Sequence, residues 1–120
     1  MEAIILNNKE AIRKLCEKHH ILSLYAFGSV TDGSFSNNSD IDFIYEFDFG
    51  NFNLDEQPIT EAPFDAFIEF HALKDALENL LNRKVDLIPF QKFKNPVFRE
   101  QVAKTKVQIY GRERYQKVLV

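Results

Sequence analysis

The chain has 120 residues, 45% hydrophobic and 28% charged, with a formal net charge of −3. That length supplies one core, so a single domain spanning 1–120 is expected. The overall acidity disfavours a dedicated DNA- or RNA-binding role, and Cys16, the only cysteine, excludes a disulfide framework or a Cys-rich zinc site.

The charge is unevenly placed. Residues 1–82 hold 5 Lys/Arg and 15 Asp/Glu, a balance of −10, whereas residues 83–120 hold 10 Lys/Arg and 3 Asp/Glu, a balance of +7. The two parts either complement each other within the fold or give it a basic, phosphate- or partner-facing surface. No stretch reaches the roughly 18 consecutive apolar residues of a membrane span. The start, "MEAIILNNKE", lacks the basic opening and long apolar run of a signal peptide. A cytoplasmic protein with no membrane association is expected.

In chain order, Asn7 or Asn8 is placed to cap a helix through "KEAIRKLCEKHH", with Ile12, Leu15 and Cys16 as its apolar stripe. Cys16 reads as a small buried residue. His19 and His20 end that helix and read as solvated residues at its negative pole. "ILSLYAF" (21–27) reads as a strand that Gly28 ends, and 28–39 as a polar loop or single helical turn. "DIDFIYEF" (40–47) is the next strand, and 48–63 a long connection containing two prolines. Connections of that length are more often functional or mobile than inert. A long helix follows at 64–83, with Phe67, Phe70, Leu73, Leu77 and Leu80 at three- and four-residue steps and His71 off the stripe. The phenylalanines of 47–70 offer an apolar contact surface, so a homo-oligomer is possible. "KVDLIPF" (84–90) is a short strand, "NPVFREQVAKTK" (95–106) a helix capped by Asn95 with Pro96 at its first position, and "VQIYG" (107–111) an edge strand.

The chemistry lies where charge interrupts these strands. Side chains alternate along a strand, so Asp40 and Asp42 point to one face while Ile41, Phe43 and Tyr45 point to the other. The two carboxylates then stand roughly 6.5–7 Å apart at the backbone. Burying two charges costs several kcal/mol each, on the order of a domain's whole stability, unless a partner compensates them. Asp86 repeats the anomaly between Val85 and Leu87. If the two strands are neighbours, three aspartates converge, and oxygen-only ligation of that kind suits Mg²⁺ or Mn²⁺. Paired divalent ions serve phosphoryl transfer by holding both the attacking and the leaving oxygens. Gly28 and Ser29 add a strand end that turns into a helical start, where backbone N–H groups and a hydroxyl can hold phosphate oxygens.

Gly28-Ser29, ten residues, Asp40-Ile41-Asp42 and the later Asp86 of "KVDLI" together resemble the polymerase β-type nucleotidyltransferase superfamily. The small size, and the ending "NPVFREQVAKTKVQIYG", resemble its minimal nucleotidyltransferase (MNT) group. The resemblance runs from about Leu22 to Gly111 and implies an α/β (α+β) fold, a mixed β-sheet flanked by helices. It also implies transfer of a nucleoside monophosphate, AMP from ATP, to an acceptor hydroxyl. Gly28 and Ser29 would hold the triphosphate, Asp40 and Asp42 the metal ions, and Asp86 would complete the metal site and help activate the acceptor. Short members often pair, as antitoxin, with a HEPN-domain toxin, and some transfer AMP to tyrosine on that partner. This sequence departs from many members in one respect. The loop "VTDGSFSNNS" has no basic residue, so charge for the triphosphate must come from elsewhere, with Lys84, Lys92 and Lys94 as candidates. A different class, a non-catalytic antitoxin that neutralises its partner by contact, is the alternative.

Overall fold

The structure, a computed structural model, describes residues 1–90 and 95–111. Four strands, β1 (Ile21–Phe27), β2 (Ile41–Phe47), β3 (Val85–Pro89) and β4 (Val107–Gly111), form one sheet in the order β3-β2-β1-β4. β1 pairs antiparallel with β2 and with β4, whereas β2 and β3 run parallel. The expected mixed sheet flanked by helices is therefore present, with β4 at an edge. Lys92 and Lys94, candidates for the triphosphate's positive charge, lie outside the described residues.

Helices cover the two faces unequally. On one face, α2 (Lys9–Lys18) and α4 (Ala66–Leu81) bury Ile12, Cys16, Leu73, Leu77 and Leu81 against Leu24, Ala26, Ile41, Phe43, Val85 and Leu87. On the other, α5 (Pro96–Thr105) covers Tyr25, Phe27 and Ile44 with Val102 and Phe98. Every residue of β1 is buried because it sits between two strands and beneath helices on both sides. The alternation expected of β2 holds: Ile41, Phe43 and Tyr45 face the larger core, and Asp42 and Ile44 face α5.

Local chemistry sets the helix ends. Asp65 accepts from the N–H groups of Phe67 and Ile68 to cap α4, and Asn95 accepts from those of Val97 and Phe98 to cap α5, with Pro96 first. Asn8 occupies the N-cap position of α2, but its side chain donates backward to the Ile4 carbonyl at 2.8 Å. That carbonyl belongs to α1 (Ala3–Leu6), a turn that no sequence signal announced.

Three expectations need correction. Asp40 precedes β2 rather than opening it, because the ladder begins with the Ile41 N–H donating to the Lys84 carbonyl. Phe67 is 73% exposed instead of belonging to the α4 stripe. The buried stripe follows Leu73, Leu77 and Leu81, while Phe67, on the first turn, meets His71 with ring centroids 4.5 Å apart. His19 is buried rather than solvated, with Nδ1 2.8 Å from Glu69 Oε2. The packing of α2 on α4 brings the C-terminus of one against the first turn of the other. His20, at φ 61°, stacks its ring on Phe64 at 4.4 Å. Phe64 in turn stacks on Phe49 at 4.9 Å, so the two ends of the long connection close on each other.

Candidate active site

The parallel register of β2 and β3 pairs Asp42 with Asp86. Adjacent strands lie about 4.8 Å apart, and side chains at paired positions share a face. The two carboxyls therefore meet on the α5 side of the sheet. Asp86 is exposed and Asp42 half-buried. Burial first, then the Asp86 charge, a hydrogen bond with Asp86 and the charge of Asp40, push the Asp42 carboxyl up to about 6. Of the three aspartates that the spacing singled out, the structure sets Asp42 and Asp86 side by side. Asp40 stands one residue ahead of the strand, close enough for its charge to act on Asp42.

Gly28 abuts this pair. It follows Phe27, the β1 residue opposite Asp42, and adopts φ 75°, ψ −144°, a conformation that side-chain-bearing residues rarely reach. A Cβ there would stand 3.0 Å from Asp42 Oδ2. After it, α3 (Ser29–Asp32) makes one turn, with the N–H groups of Thr31 and Asp32 donating to the Gly28 carbonyl. The expected turn after β1 is thus present, with Ser29 as its first residue. The Gly28 N–H itself donates to Thr105 Oγ1 at 3.0 Å. That amide is engaged within the fold, so a phosphate contact at this turn rests on Ser29 and on the close approach that Gly28 permits.

Two positioning groups were missed by sequence reasoning. Thr105, at the end of α5, accepts from Gly28 and donates to the Gln101 carbonyl at 2.8 Å, which ties α5 to the tip of β1. Arg83 Nη2 donates to the carbonyls of Ser36 at 2.6 Å and Ser39 at 2.5 Å, and its guanidinium lies 4.3 Å from the centre of the Phe35 ring. The loop without a basic residue of its own therefore receives one from the α4–β3 junction. The partners are 77 residues apart for Thr105 and 44 and 47 for Arg83, and no local pattern carries contacts of that range. The one signal for Arg83 was a basic pair placed directly ahead of the strand that bears Asp86. Lys84 is exposed beside it.

Among the described residues, no three His, Cys, Asp or Glu side chains converge tightly enough to complete a metal site unaided. The donor set still fits a hard divalent cation. It is all carboxylate, its members repel one another, and Mg²⁺ characteristically takes one or two carboxylates together with substrate phosphates.

The family model described as polymerase beta, nucleotidyltransferase matches residues 10–115. The chain belongs to this nucleotidyltransferase family. A Methanocaldococcus jannaschii relative, provisionally named protein adenylyltransferase MJ1379, is 33% identical over 98 residues, covering 78% of this chain and 86% of the relative. Among solved structures, a toxin–antitoxin crystal structure with AMP-PNP matches with a TM-score of 0.64 and 24% identity, over 93% of this chain and 80% of the other. The structure of a tri-AMPylated Shewanella oneidensis HEPN toxin with an MNT antitoxin matches with a TM-score of 0.59 and 21% identity, over 95% and 78%. These likenesses show the nucleotidyltransferase fold. No helix among its described residues is long and apolar enough to cross a membrane.

Proposed function

We propose that this nucleotidyltransferase transfers AMP from ATP to a hydroxyl on another protein, a tyrosine of a HEPN-domain toxin, and acts as its antitoxin. The observation that carries the reading is the Asp42–Asp86 pair, set in register and facing each other beside Gly28. In this reading Asp40, Asp42 and Asp86 are the catalytic residues and hold Mg²⁺ or Mn²⁺. Bound there, the ions would neutralise triphosphate charge and acidify the acceptor hydroxyl.

The chain's own residues supply orientation and proton transfer. Ser29 offers its hydroxyl to the β- and γ-phosphates, and Gly28 leaves room for them against Asp42. Asp86, the exposed member of the pair, is open to an incoming acceptor and takes its proton. The acceptor oxygen forms a bond to the α-phosphorus, the bond from that phosphorus to the bridging oxygen breaks, and pyrophosphate leaves with the electron pair.

Support for AMP and for a protein acceptor comes from the name of the archaeal relative and from the AMPylated toxin in the Shewanella complex. Support for ATP comes from the AMP-PNP in the toxin–antitoxin structure. The test is incubation with ATP, Mg²⁺ and the cognate HEPN-domain protein, followed by intact-mass measurement of both chains. A gain of one or more AMP on the partner, lost with Asp42→Asn, is the expected result. No mass change with a stable complex formed would replace this reading with neutralisation by contact alone.

A further inference from the structure

Asp40 is the one member of the aspartate set that no strand holds. β2 begins at Ile41, and the twelve residues from Gly28 to Ser39 are mostly Gly, Ser, Thr, Asn and Asp, a composition that leaves a loop many conformations to lose. Something other than strand alternation must fix the Asp40 carboxylate relative to Asp42. The hydrogen bonds on either side of it show what does. Arg83 Nη2 binds the carbonyl of Ser39, the residue before Asp40. The carbonyl of Lys84, the residue after Arg83, accepts the N–H of Ile41, the residue after Asp40, at 2.9 Å. Two successive residues just ahead of β3 thus bracket Asp40 on both sides.

The bracket extends into the loop. The second bond from Arg83 Nη2, to Ser36, closes on a turn already tied by the Ser39 N–H donating to the Ser36 carbonyl at 3.1 Å and the Ser36 N–H donating to Ser39 Oγ at 3.0 Å. The Phe35 ring, packed against the main core, supports the guanidinium from below. A charged donor serving two carbonyls makes stronger bonds than a neutral one. The planar guanidinium also loses little freedom in making them.

We propose that Arg83 is the positioning residue of this site: through Ser36 and Ser39 it holds Asp40 in place for the cation that Asp42 and Asp86 share. The inference rests on the metal-dependent reading above. Arg83 touches neither nucleotide nor acceptor in this role; it acts through the backbone on either side of Asp40. Groups that orient metal ligands typically change metal affinity 10–100-fold when removed.

The test measures Mn²⁺ binding by water-proton relaxation, in the presence of the non-hydrolysable analogue AMP-PNP. Amide exchange across residues 36–41 is measured without metal, and thermal unfolding in parallel. Wild type, Arg83→Ala, Arg83→Lys and Asp42→Asn are compared. Arg83→Ala is expected to bind Mn²⁺ about tenfold more weakly and to exchange faster at the amides of Ser39 and Ile41, with its melting temperature within a few degrees of wild type. Arg83→Lys keeps the charge without the planar fork and is expected to lie between the two. Should Arg83→Ala not fold, Arg83→Lys decides alone. Wild-type Mn²⁺ affinity in a folded Arg83 variant, with wild-type binding lost in Asp42→Asn, overturns the role of Arg83 and leaves the site standing. A wild-type protein that binds no Mn²⁺ removes the site and the proposal together.

Discussion

Asp42 and Asp86 occupy paired positions on two parallel strands, so their carboxyls share one face of the sheet and repel each other at close range. Such an arrangement stores electrostatic repulsion in the free protein, which a bound cation would relieve. Perturbed carboxyls of this kind mark functional clefts.

Replacing Asp42 with Asn removes one of the repelling charges and one of the proposed ligands. AMP transfer is expected to fall on the order of 10³-fold. The melting temperature of the metal-free protein at pH 7 is expected to rise rather than fall. Activity by partner mass shift and stability by calorimetry check the two halves separately; a lower melting temperature would contradict the repulsion.

The same pair gives the free protein a pH signature. The Asp42 carboxyl is raised from its ordinary 3.8 to about 6, so the folded state binds more protons than the unfolded state between those values. Stability from this group is full below the lower value and is lost as the pH rises through the upper one. Metal-free wild type should therefore lose stability between about pH 4 and pH 6 relative to Asp42→Asn. Mn²⁺ binding, which needs the carboxylate, should weaken below about 6. Parallel melting curves of the two proteins across that range would refute the assignment.

Gly28→Ala adds a methyl 3.0 Å from Asp42 Oδ2, in a backbone conformation at φ 75° that alanine rarely adopts. The strain costs about 1–3 kcal/mol, and the carboxylate must move aside. Denaturant titration should show the loss of stability, and transfer activity should fall further than the lost stability explains.

Thr105→Val keeps the shape at the end of α5 and removes the acceptor of the Gly28 N–H. An unpaired, part-buried donor costs about 1–3 kcal/mol. Thr105→Ser retains the hydroxyl and is expected to stay near wild type. Equal stability of the Val and Ser variants, read from urea midpoints, would show that the bond contributes nothing.

Much of this could be read locally. Asn95 announces the start of α5 by capping chemistry that acts within three residues, and Asp65 caps α4 in the same way inside the span 64–83 expected as helix. Gly28 marks the end of β1 because only glycine reaches its backbone angles without strain. His19 misled for the opposite reason: nothing near it in sequence reveals Glu69, fifty residues on, whose carboxylate turns an expected solvated end into a buried contact. Phe67 has the helical spacing of a core residue, yet only the position of the sheet beneath α4 decides that Leu81, and not Phe67, is covered.

The sequence by itself determined the chemistry on offer. It placed Asp40 and Asp42 two residues apart at the mouth of an apolar strand, a lone Asp86 in a second strand, and Gly28 and Ser29 at a strand end, and alternation with a period of two then put Asp42 opposite the core-facing Ile41 and Phe43. Only the tertiary structure decided that β2 and β3 are parallel neighbours in the register that sets Asp42 against Asp86, and that Arg83 and Lys84 bracket Asp40 while Thr105 ties down Gly28. Register and bracket are contacts between segments some 40 to 80 residues apart. They are fixed by how helices and strands pack, which local spacing does not encode.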